Sequence, residues 1–375
     1  MLLSDEQTAL RDAARRYARS ELLPTYQRRE SEARLDPALL RTLGEMGFIG
    51  MSVAPSHGGL GADAVTTGLV LEELSYGDFN IGSYVVTQTL CAAIIERNAE
   101  EAVAAEWLPR ICAGDAIVAL AVTEPHAGSD AAAMRVSARR DGDNYVLRGE
   151  KTSITFADNA DAFVLFARME GGAPGISAFL VPGDSSGLTT TRFRDVGGHA
   201  TGRGSVFLDE VRVAASHRIG PEGKAFSQVM AGFDYSRGLI ALQCLGAAQA
   251  SIDEAWAYVR EREAFGAVLA QFQGVTFPLV EGETQVAACR QLALHALALR
   301  DAGLPHTSEA AMVKWLGPKT AFDVIHQCLL TFGHYGWSMD LPHQQRLRDV
   351  MGLEIGDGTA GIMKMIVART RTGRR

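Results

Sequence analysis

The spacing of apolar residues changes twice along the chain, and it predicts helices at both ends. Up to about residue 110, apolar positions recur at helical spacing, beginning with Leu10 to Tyr17 behind a helix-capping sequence at Ser4 to Gln7. From about residue 226 onwards the helical spacing returns. One stripe of that second region shows it over five turns: Ile240, Cys244, Ala248, Ile252, Ala255 and Val259.

Between about residues 111 and 225 the period is two, which is typical of β-strands. Residues 134–139 and 145–148 alternate on either side of an Asp141-Gly142 turn, so this stretch predicts a β-hairpin. Further apolar runs extend the same predicted sheet: 162–167 and 176–181.

The order of these patterns predicts the fold class. Helices, then strands, then helices is not the alternating order of a parallel α/β sheet, so we predict an α+β architecture. The predicted parts are an N-terminal helical domain (1–110), a central β domain (111–225) and a C-terminal helical bundle (226–375).

Composition narrows the class of protein. The 375-residue chain is 47% hydrophobic and carries a net charge of −8 without a basic block, which argues against nucleic acid as a partner. No long uncharged apolar run suggests a membrane span, and an acidic helix at the N-terminus is unlike a signal peptide, so we expect a cytoplasmic protein. Five scattered cysteines without C-x-x-C spacing indicate reduced core thiols and no metal site.

One carboxylate stands out near the C-terminus. Asp357 lies between Gly356 and Gly358, where a bare backbone lets a substrate approach closely, so we predict that Asp357 is a general base. Residues 356–361 also match the G-x-G-x-x-G dinucleotide fingerprint. That fingerprint needs flanking strands and a later acidic residue, whereas a terminal helix at 362–369 is predicted here, so we reject the match.

Three separated segments resemble the acyl-CoA dehydrogenase family, in the right order and across nearly the whole chain. They are Val122 to Asp130, Arg260 to Gly266 with Phe272-Gln273, and the segment around Asp357. The resemblance implies a helical domain, a β domain and a C-terminal four-helix bundle, with FAD bound between the last two. It also implies that the enzyme oxidises an acyl thioester such as acyl-CoA.

The resemblance carries a mechanism with it. The carboxylate of the base takes the α-proton while the β-hydrogen leaves as hydride to flavin N5, so base and acceptor must face each other across the Cα–Cβ bond. In the family the thioester oxygen is bound by a flavin ribityl hydroxyl and by the backbone N–H of the base residue, here Asp357.

Roles in binding follow from the same resemblance. The residues expected at FAD are Val122, Thr123, Ser129, Ile154, Thr155, Arg262, Phe265, Leu269, Gln273, Gly333 and Thr359. Those expected at the substrate are Ser129, Tyr235, Arg237 and Gly358.

Some of these residues imply partners. Arg262 and Gln273 are expected to reach the FAD of a neighbouring subunit, which implies a homo-oligomer, most simply a tetramer. Arg237 is expected to orient the base or to contact coenzyme A. The family's electron acceptor is an electron-transfer flavoprotein. Without the resemblance, Arg262 could equally be an ordinary exposed cation near a helix C-terminus. Thr123 could equally belong to a strand end with a capped turn.

The chain departs from the family pattern at the base and around the flavin. Aspartate stands where most members have glutamate, and Gly356 stands where a tyrosine is common. Ser153 replaces the usual aromatic residue beside the flavin, Ser236 excludes an alternative base on the pocket helix, and Leu330 and His334 alter the C-terminal FAD motif.

These departures leave several interpretations open. A shorter base beside a glycine enlarges the pocket, which favours an alicyclic or branched acyl-CoA such as the cyclohexanecarboxyl type. The alternatives are a nitroalkane-oxidase-like flavoenzyme that passes electrons to oxygen, a dehydrogenase of acyl groups held on a carrier protein, and a flavin-binding scaffold with little catalysis.

Overall fold

The computed structural model describes residues 2–171 and 174–373, with the side chains of residues 227–231 left aside. Its first part is helical. The helices are α1 (Asp5–Tyr17), α2 (Tyr26–Glu32), α3 (Pro37–Glu45), α4 (Ala64–Gly77), α5 (Phe79–Asn98) and α6 (Glu101–Cys112).

Local sequence explains where the first helices begin. The Ser4 hydroxyl accepts a hydrogen bond from the Gln7 backbone N–H, and the Gln7 side chain returns one to Ser4, so the predicted cap of α1 is confirmed. Asp78 caps α5 in the same way, through the backbone N–H groups of Asn80 and Ile81. Helices α4 and α5 are buried on nearly every side, so they form the centre of the molecule.

The second part is a β-sheet with strands β1 (Val118–Ala121), β2 (Ser137–Asp141), β3 (Asn144–Thr155), β4 (Ala162–Glu170), β5 (Ile176–Pro182), β6 (Leu188–Arg192), β7 (Arg203–Ala214) and β8 (Arg218–Ile219). Their order is β6-β7-β3-β2-β4-β5-β8, with β1 parallel to β4. The predicted hairpin is confirmed as the antiparallel pair β2 and β3.

The hairpin starts later than its alternating pattern predicts. Residues 134–136 precede β2, because the backbone N–H groups of Arg135 and Val136 donate to the Glu124 carboxylate instead of to a neighbouring strand. The Glu124 side chain therefore replaces a neighbouring strand as the acceptor for these two N–H groups.

The third part is helical again, with α7 (Ala225–Glu261), α8 (Gln273–Asp301), α9 (Thr307–Thr331), α10 (His343–Ile355) and α11 (Ala360–Thr372). A short hairpin of β9 (Glu263–Ala264) and β10 (Ala267–Val268) links α7 to α8. The predicted stripe from Ile240 to Val259 is buried along α7, and the α+β architecture with helical, β and helical parts is confirmed.

Three further observations concern the cysteines, possible membrane spans and possible metal sites. All five cysteines are buried free thiols, as predicted. Among the described residues, none of the helices combines the length and apolar character that a membrane crossing requires. No group of three or more His, Cys, Asp or Glu side chains in the same part of the chain is arranged to hold a metal ion.

Candidate active site

Asp357 lies in the short loop that joins α10 to α11. The helix α10 ends at Ile355, and Thr359 caps α11 with its hydroxyl accepting from the Ile362 backbone N–H. A helix therefore precedes the 356–361 match to the dinucleotide fingerprint, where that fingerprint needs a strand, and the rejection of the match is confirmed.

The two glycines beside Asp357 have different reasons to be there. Gly358 has a φ of 103°, which favours glycine, and an added Cβ would lie 2.4 Å from Met363 Cε, so the flexible end of that side chain would have to move. Gly356 has a φ of −61°, and its added Cβ would meet its nearest atom at 3.5 Å. A Cβ at position 356 is thus compatible with the backbone and would make only ordinary van der Waals contacts.

Asp357 itself adopts the left-handed conformation, with a φ of 53°. Aspartate tolerates this region better than most residues because its short polar side chain does not crowd the backbone. Within residues 2–171 and 174–373, neither the Asp357 carboxylate nor its backbone N–H has a hydrogen-bond partner. Both groups are therefore available to a ligand.

A buried lysine holds the loop in this shape. Lys314 of α9 donates three hydrogen bonds to backbone carbonyl oxygens, at 2.7 Å to Leu353, 2.5 Å to Gly356 and 2.7 Å to Gly358. These carbonyls end α10 and flank Asp357, so the lysine fixes the backbone on both sides of the candidate base.

The electrostatics of Asp357 combine burial with two nearby cations. Burial raises the pKa of the Asp357 carboxyl above its usual value, and the charges of Lys314 and Arg237 oppose the rise. Burial lowers the pKa of Lys314, and the charge of Asp357 opposes that change. The base thus has a raised pKa, which makes it a better proton acceptor than an exposed aspartate.

Arg237 lies on α7 and is anchored to a different carboxylate. Its Nη1 donates to Asp234 at 2.6 Å, and Asp234 also accepts from the Thr307 hydroxyl at 2.6 Å. Tyr235 beside it is buried, with the Arg300 guanidinium 3.9 Å from its ring centroid. Arg237 therefore acts on Asp357 through its charge from a fixed position.

The two segments expected at the flavin meet in the β domain. The Thr152 backbone N–H donates to the Thr123 carbonyl at 2.9 Å, which joins the end of β1 to β3. Lys151 donates to the Val122 carbonyl and to Glu124, at 2.8 Å each. Burial lowers the pKa of Lys151 to about 8, and the Glu124 contacts oppose the change.

Strand β3 changes register in the segment that follows. Ser153 has a φ of 59°, lies exposed, and interrupts the pairing with β7 between Lys151 and Ile154. Beyond it Ile154 is buried and Thr155 is half-buried. The bulge thus turns Ser153 away from the sheet at the position where an aromatic residue is usual.

The donor chemistry of this region fits a flavin. Among the described residues, the half-buried hydroxyls of Thr123 and Thr155 have no hydrogen-bond partner, and Ser129 is exposed. Unpaired hydroxyls and strand-end backbone groups are suited to the polar pyrimidine edge of an isoalloxazine ring. This region therefore offers free polar groups of the kind that a flavin's heteroatoms would need.

This β-domain region is connected to α10, the helix that precedes the base. The Phe156 backbone N–H donates to the Gly202 carbonyl at 3.1 Å, and the Gly198 backbone N–H donates to Asp349 of α10 at 2.7 Å. The loop between β6 and β7 thus links the end of β3 to α10.

Five of the remaining predicted cofactor residues lie near the C-terminal end of α7, whereas Thr359 lies beside the base. That helix has 37 residues, which corresponds to roughly 55 Å. Arg262 follows its last residue, about 37 Å along the axis from Arg237. Gly333 lies at the same end, because its neighbour Phe332 stacks on Tyr258 at 4.3 Å.

The hairpin after α7 exposes the other residues of this group. The Phe265 side chain is 99% exposed, Leu269 is half-buried, and Gln273 is exposed at the start of α8. The chain therefore brings Val122, Thr123, Ile154 and Thr155 together in one region and places Arg262, Phe265, Leu269, Gln273 and Gly333 in another.

Three residues that the sequence patterns did not single out for a role support the site. Lys314 holds the loop of the base, and Lys151 with Glu124 fixes the segment around Val122. Each is a charged residue within or beside an apolar stretch and is almost wholly buried. A charged residue is rarely buried without a partner, but this burial is visible only in the folded structure and not in the sequence pattern.

Comparison with known protein families covers almost the whole chain. The family description "Acyl-CoA dehydrogenase, N-terminal domain" matches residues 4–115, the middle domain matches 119–211, and the C-terminal domain matches 223–371.

Individual relatives agree with that result. A short-chain specific acyl-CoA dehydrogenase of Clostridium acetobutylicum is 32% identical over 370 residues, covering 98% of both chains. The structure of butyryl-CoA dehydrogenase from Megasphaera elsdenii superposes with a TM-score of 0.95 at 29% identity, over 99% of both chains. A glutaryl-CoA dehydrogenase from Mycobacterium smegmatis, in complex with FADH2, gives a TM-score of 0.94 at 29% identity, over 99% of this chain and 95% of that one.

Proposed function

The chain belongs to the acyl-CoA dehydrogenase family of FAD-dependent oxidoreductases, and we propose that it dehydrogenates an alicyclic or branched acyl-CoA with Asp357 as the base. FAD-dependent dehydrogenation of acyl-CoA follows from membership of the family. The acyl group, the residue roles, the assembly and the electron acceptor form the proposal.

The observation that carries the proposal is the free carboxylate of Asp357. It is half-buried, it lacks a hydrogen-bond partner among the described residues, and it lies near two cations that are each held by other groups. A carboxylate with these surroundings can accept a proton without first breaking an existing bond. Asp357 is thus suited to take the α-proton of the acyl group.

The backbone of the same residue has a second role. The Asp357 N–H is free among the described residues, so it can donate to the thioester oxygen while the carboxylate faces the α-carbon. A donor aimed at this oxygen stabilises the negative charge that develops there, and such donors are commonly worth about 3–4 kcal/mol. One residue would then bind the carbonyl and remove the proton.

Groups from the β domain would hold the cofactor. When bound, FAD supplies the acceptor for the hydride that leaves the β-carbon. Val122, Thr123, Ile154 and Thr155 would contact the flavin ring, with Ser129 at the entrance. Thr359 caps α11 next to the base by accepting a hydrogen bond, so its O–H donor is still available to the cofactor.

The alicyclic or branched acyl group is inferred from the space beside the base. Gly356 needs no glycine for its backbone, so the missing side chain enlarges the site without serving the turn. Aspartate is also one methylene shorter than glutamate, which moves the carboxylate away from the substrate by about 1 Å. A ring or a branch at the α- or β-carbon would fill both gaps.

The position of Arg262 supports an oligomer. It lies roughly 37 Å along α7 from Arg237, whose charge acts on Asp357, so Arg262 is far from the base of its own chain. Arg262, Phe265, Leu269, Gln273 and Gly333 would bind the pyrophosphate side of a neighbouring subunit's FAD in a tetramer. An electron-transfer flavoprotein would reoxidise the enzyme.

The experiment that tests this function is anaerobic titration of the purified protein with a panel of possible substrates. We expect cyclohexanecarboxyl-CoA or a branched acyl-CoA to bleach the flavin absorbance faster than butyryl-CoA does. Faster bleaching by butyryl-CoA would contradict the proposed acyl group and leave the family reaction intact. Bleaching by a nitroalkane alone would contradict the acyl-CoA reaction, and acyl groups on a carrier protein test the alternative carrier.

A further inference from the structure

Lys314 is a buried cation without a matching anion in contact. Its side chain is 1% exposed, and no described carboxylate forms an ion pair with its ammonium group. Burying an unpaired charge is costly, so a lysine at such a place needs compensation from other groups. Here the compensation comes from three backbone carbonyls.

The geometry uses every donor of the ammonium group. A protonated lysine has three N–H donors, and Lys314 directs them to the carbonyls of Leu353, Gly356 and Gly358. No donor remains for the carboxylate of Asp357. The lysine is nevertheless near enough for its charge to act on Asp357.

The three acceptors are groups that would otherwise be unsatisfied. The last carbonyls of a helix have no partner within the helix, and they form the negative end of its dipole. The carbonyl of Leu353 belongs to the last turn of α10, and those of Gly356 and Gly358 flank the base. Lys314 therefore offsets the partial negative charge that surrounds Asp357 and fixes the two positive-φ residues of the loop.

We propose that Lys314 is a positioning residue for the base: it fixes the loop that carries Asp357 and keeps the carboxylate ionised by its charge, without hydrogen-bonding it. This inference rests on the proposed function of Asp357 and deepens it. A lysine that bonded the carboxylate directly would compete with the α-proton, whereas one saturated by carbonyls does not.

A purely structural role makes a different prediction. If Lys314 only satisfied the end of α10, its loss would lower stability and leave the titration of the base unchanged. The charged or titratable groups near the pair are Arg237 and Cys244 on α7 and Glu354 on α10. Because Lys314 opposes the raised pKa of Asp357, removal of its charge should raise that pKa further.

Two substitutions separate the charge of Lys314 from its hydrogen bonds. Lys314→Gln keeps two N–H donors and removes the charge, and Lys314→Met removes both at similar length. Lys319→Met is the control, because Lys319 lies exposed on the same helix and pairs only with Asp323. The FAD-loaded proteins are mixed anaerobically with acyl-CoA between about pH 6 and about pH 9. The limiting rate constant of flavin reduction (kcat) and the half-saturating acyl-CoA concentration (KM) are measured.

We expect the acid limb of the rate profile to move to higher pH in Lys314→Gln, with KM little changed and the rate recovering in alkali. Lys314→Met should show the same shift and a kcat at least about tenfold lower at every pH, because the base is misplaced. Hydrogen exchange of the 355–359 backbone amides should be faster in Lys314→Met than in the wild type. Lys319→Met should behave as the wild type does.

An unchanged pH profile in folded Lys314→Gln overturns the proposal, as does unchanged exchange of the loop in Lys314→Met. If Lys314→Met does not fold, Lys314→Gln still decides the role of the charge. If no acyl-CoA reduces the wild type, the proposed function fails instead, and the exchange measurement still decides whether Lys314 holds the loop.

Discussion

The Tyr26 hydroxyl donates a 2.6 Å hydrogen bond to Asp349 Oδ2, which joins α2 near the N-terminus to α10 near the active site. Asp349 also accepts from the Asn80 side chain at 3.1 Å and from the Gly198 backbone N–H at 2.7 Å. One buried carboxylate therefore connects both helical parts and the β domain, eight residues before the base in the sequence.

The first prediction concerns this junction and pH. Burial raises the pKa of Asp349 to about 6, so the folded state binds a proton that the unfolded state releases near 3.8. The contribution of Asp349 to stability is thus present at low pH and is lost as pH rises from about 4 to about 6. At about 1.36 kcal/mol for each pKa unit, the loss is at most about 3 kcal/mol.

Asp349→Asn should remove this dependence. Between pH 4 and pH 7 the free energy of unfolding of the wild type should fall by up to about 3 kcal/mol relative to that of Asp349→Asn, measured by urea denaturation. Tyr26→Phe is the matched variant, because it removes a bond that lowers the pKa of Asp349 and should preserve or enlarge the dependence. Parallel stability curves for the wild type and Asp349→Asn would contradict the assignment.

The second prediction concerns the pair of Lys151 and Glu124 beside the flavin segment. Both side chains are buried, and Lys151 also holds the Val122 carbonyl. Lys151→Met should lower the free energy of unfolding by about 3–5 kcal/mol, because it leaves Glu124 buried and unpaired, and it should weaken FAD binding.

The double variant Lys151→Met with Glu124→Gln provides the control. It should recover part of the stability, because no buried charge remains unpaired. It should not recover the FAD affinity, because the Val122 carbonyl still lacks the hydrogen bond from Lys151. Denaturation and FAD titration measure the two effects. Recovery of both stability and FAD affinity would show that the hydrogen bond from Lys151 to Val122 does not matter for FAD binding.

The third prediction separates the two glycines beside the base. Gly358→Ala should destabilise the protein by about 1 kcal/mol or more, because its φ of 103° disfavours a residue with a Cβ and the end of the Met363 side chain would have to move. Gly356→Ala should leave the midpoint of thermal unfolding nearly unchanged. Gly356→Tyr should narrow the site and reduce flavin bleaching by alicyclic esters more than by straight-chain ones.

The opposite preference in Gly356→Tyr, with alicyclic esters less affected, would mean that the space beside Gly356 does not hold the acyl group. Equal thermal stability of the two alanine variants would contradict the distinction between the glycines.

The fourth prediction concerns assembly. Arg262→Ala should weaken FAD binding and shift the protein towards smaller species, because the exposed guanidinium is proposed to bind a neighbouring subunit's cofactor. Arg260→Ala, two residues earlier on an exposed part of α7, is a suitable control. Light scattering and FAD titration measure both effects, and a flavin-loaded monomer of the wild type would contradict the proposal.

The sequence predicts local features of this fold better than contacts between residues that are far apart in the chain. The stripe from Ile240 to Val259 was predictable because a helix repeats its pattern locally. Asp357 was identifiable because its glycine neighbours lie next to it in the chain. Lys314 was not, because the carbonyls that it binds are 39, 42 and 44 residues further on and have no side-chain signature.

The β domain shows the same limit at shorter range. The hairpin of β2 and β3 followed from alternation, but its starting residue did not, because Glu124 captures the Arg135 backbone N–H from 11 residues away. The Thr123-Glu124-Pro125 segment was recognisable as part of a family motif. The partner of Glu124, Lys151, lies 27 residues later and became visible only in three dimensions.

The central claim is that Asp357 removes the α-proton, and Asp357→Asn tests it most directly. The amide fills the same space but cannot accept the proton near neutral pH, so FAD should remain bound and the fold intact. Asp357→Glu is the companion variant: a pocket shaped for a ring should lose activity on alicyclic esters relative to straight-chain ones, whereas a merely weakened base should gain activity on straight-chain esters.

The decisive measurement is the rate at which acyl-CoA bleaches the flavin absorbance of Asp357→Asn under anaerobic conditions. If Asp357 is the base, bleaching is abolished while the flavin spectrum and thermal stability before substrate addition match those of the wild type. Bleaching at the wild-type rate would contradict this assignment and would show that the base lies elsewhere in the chain.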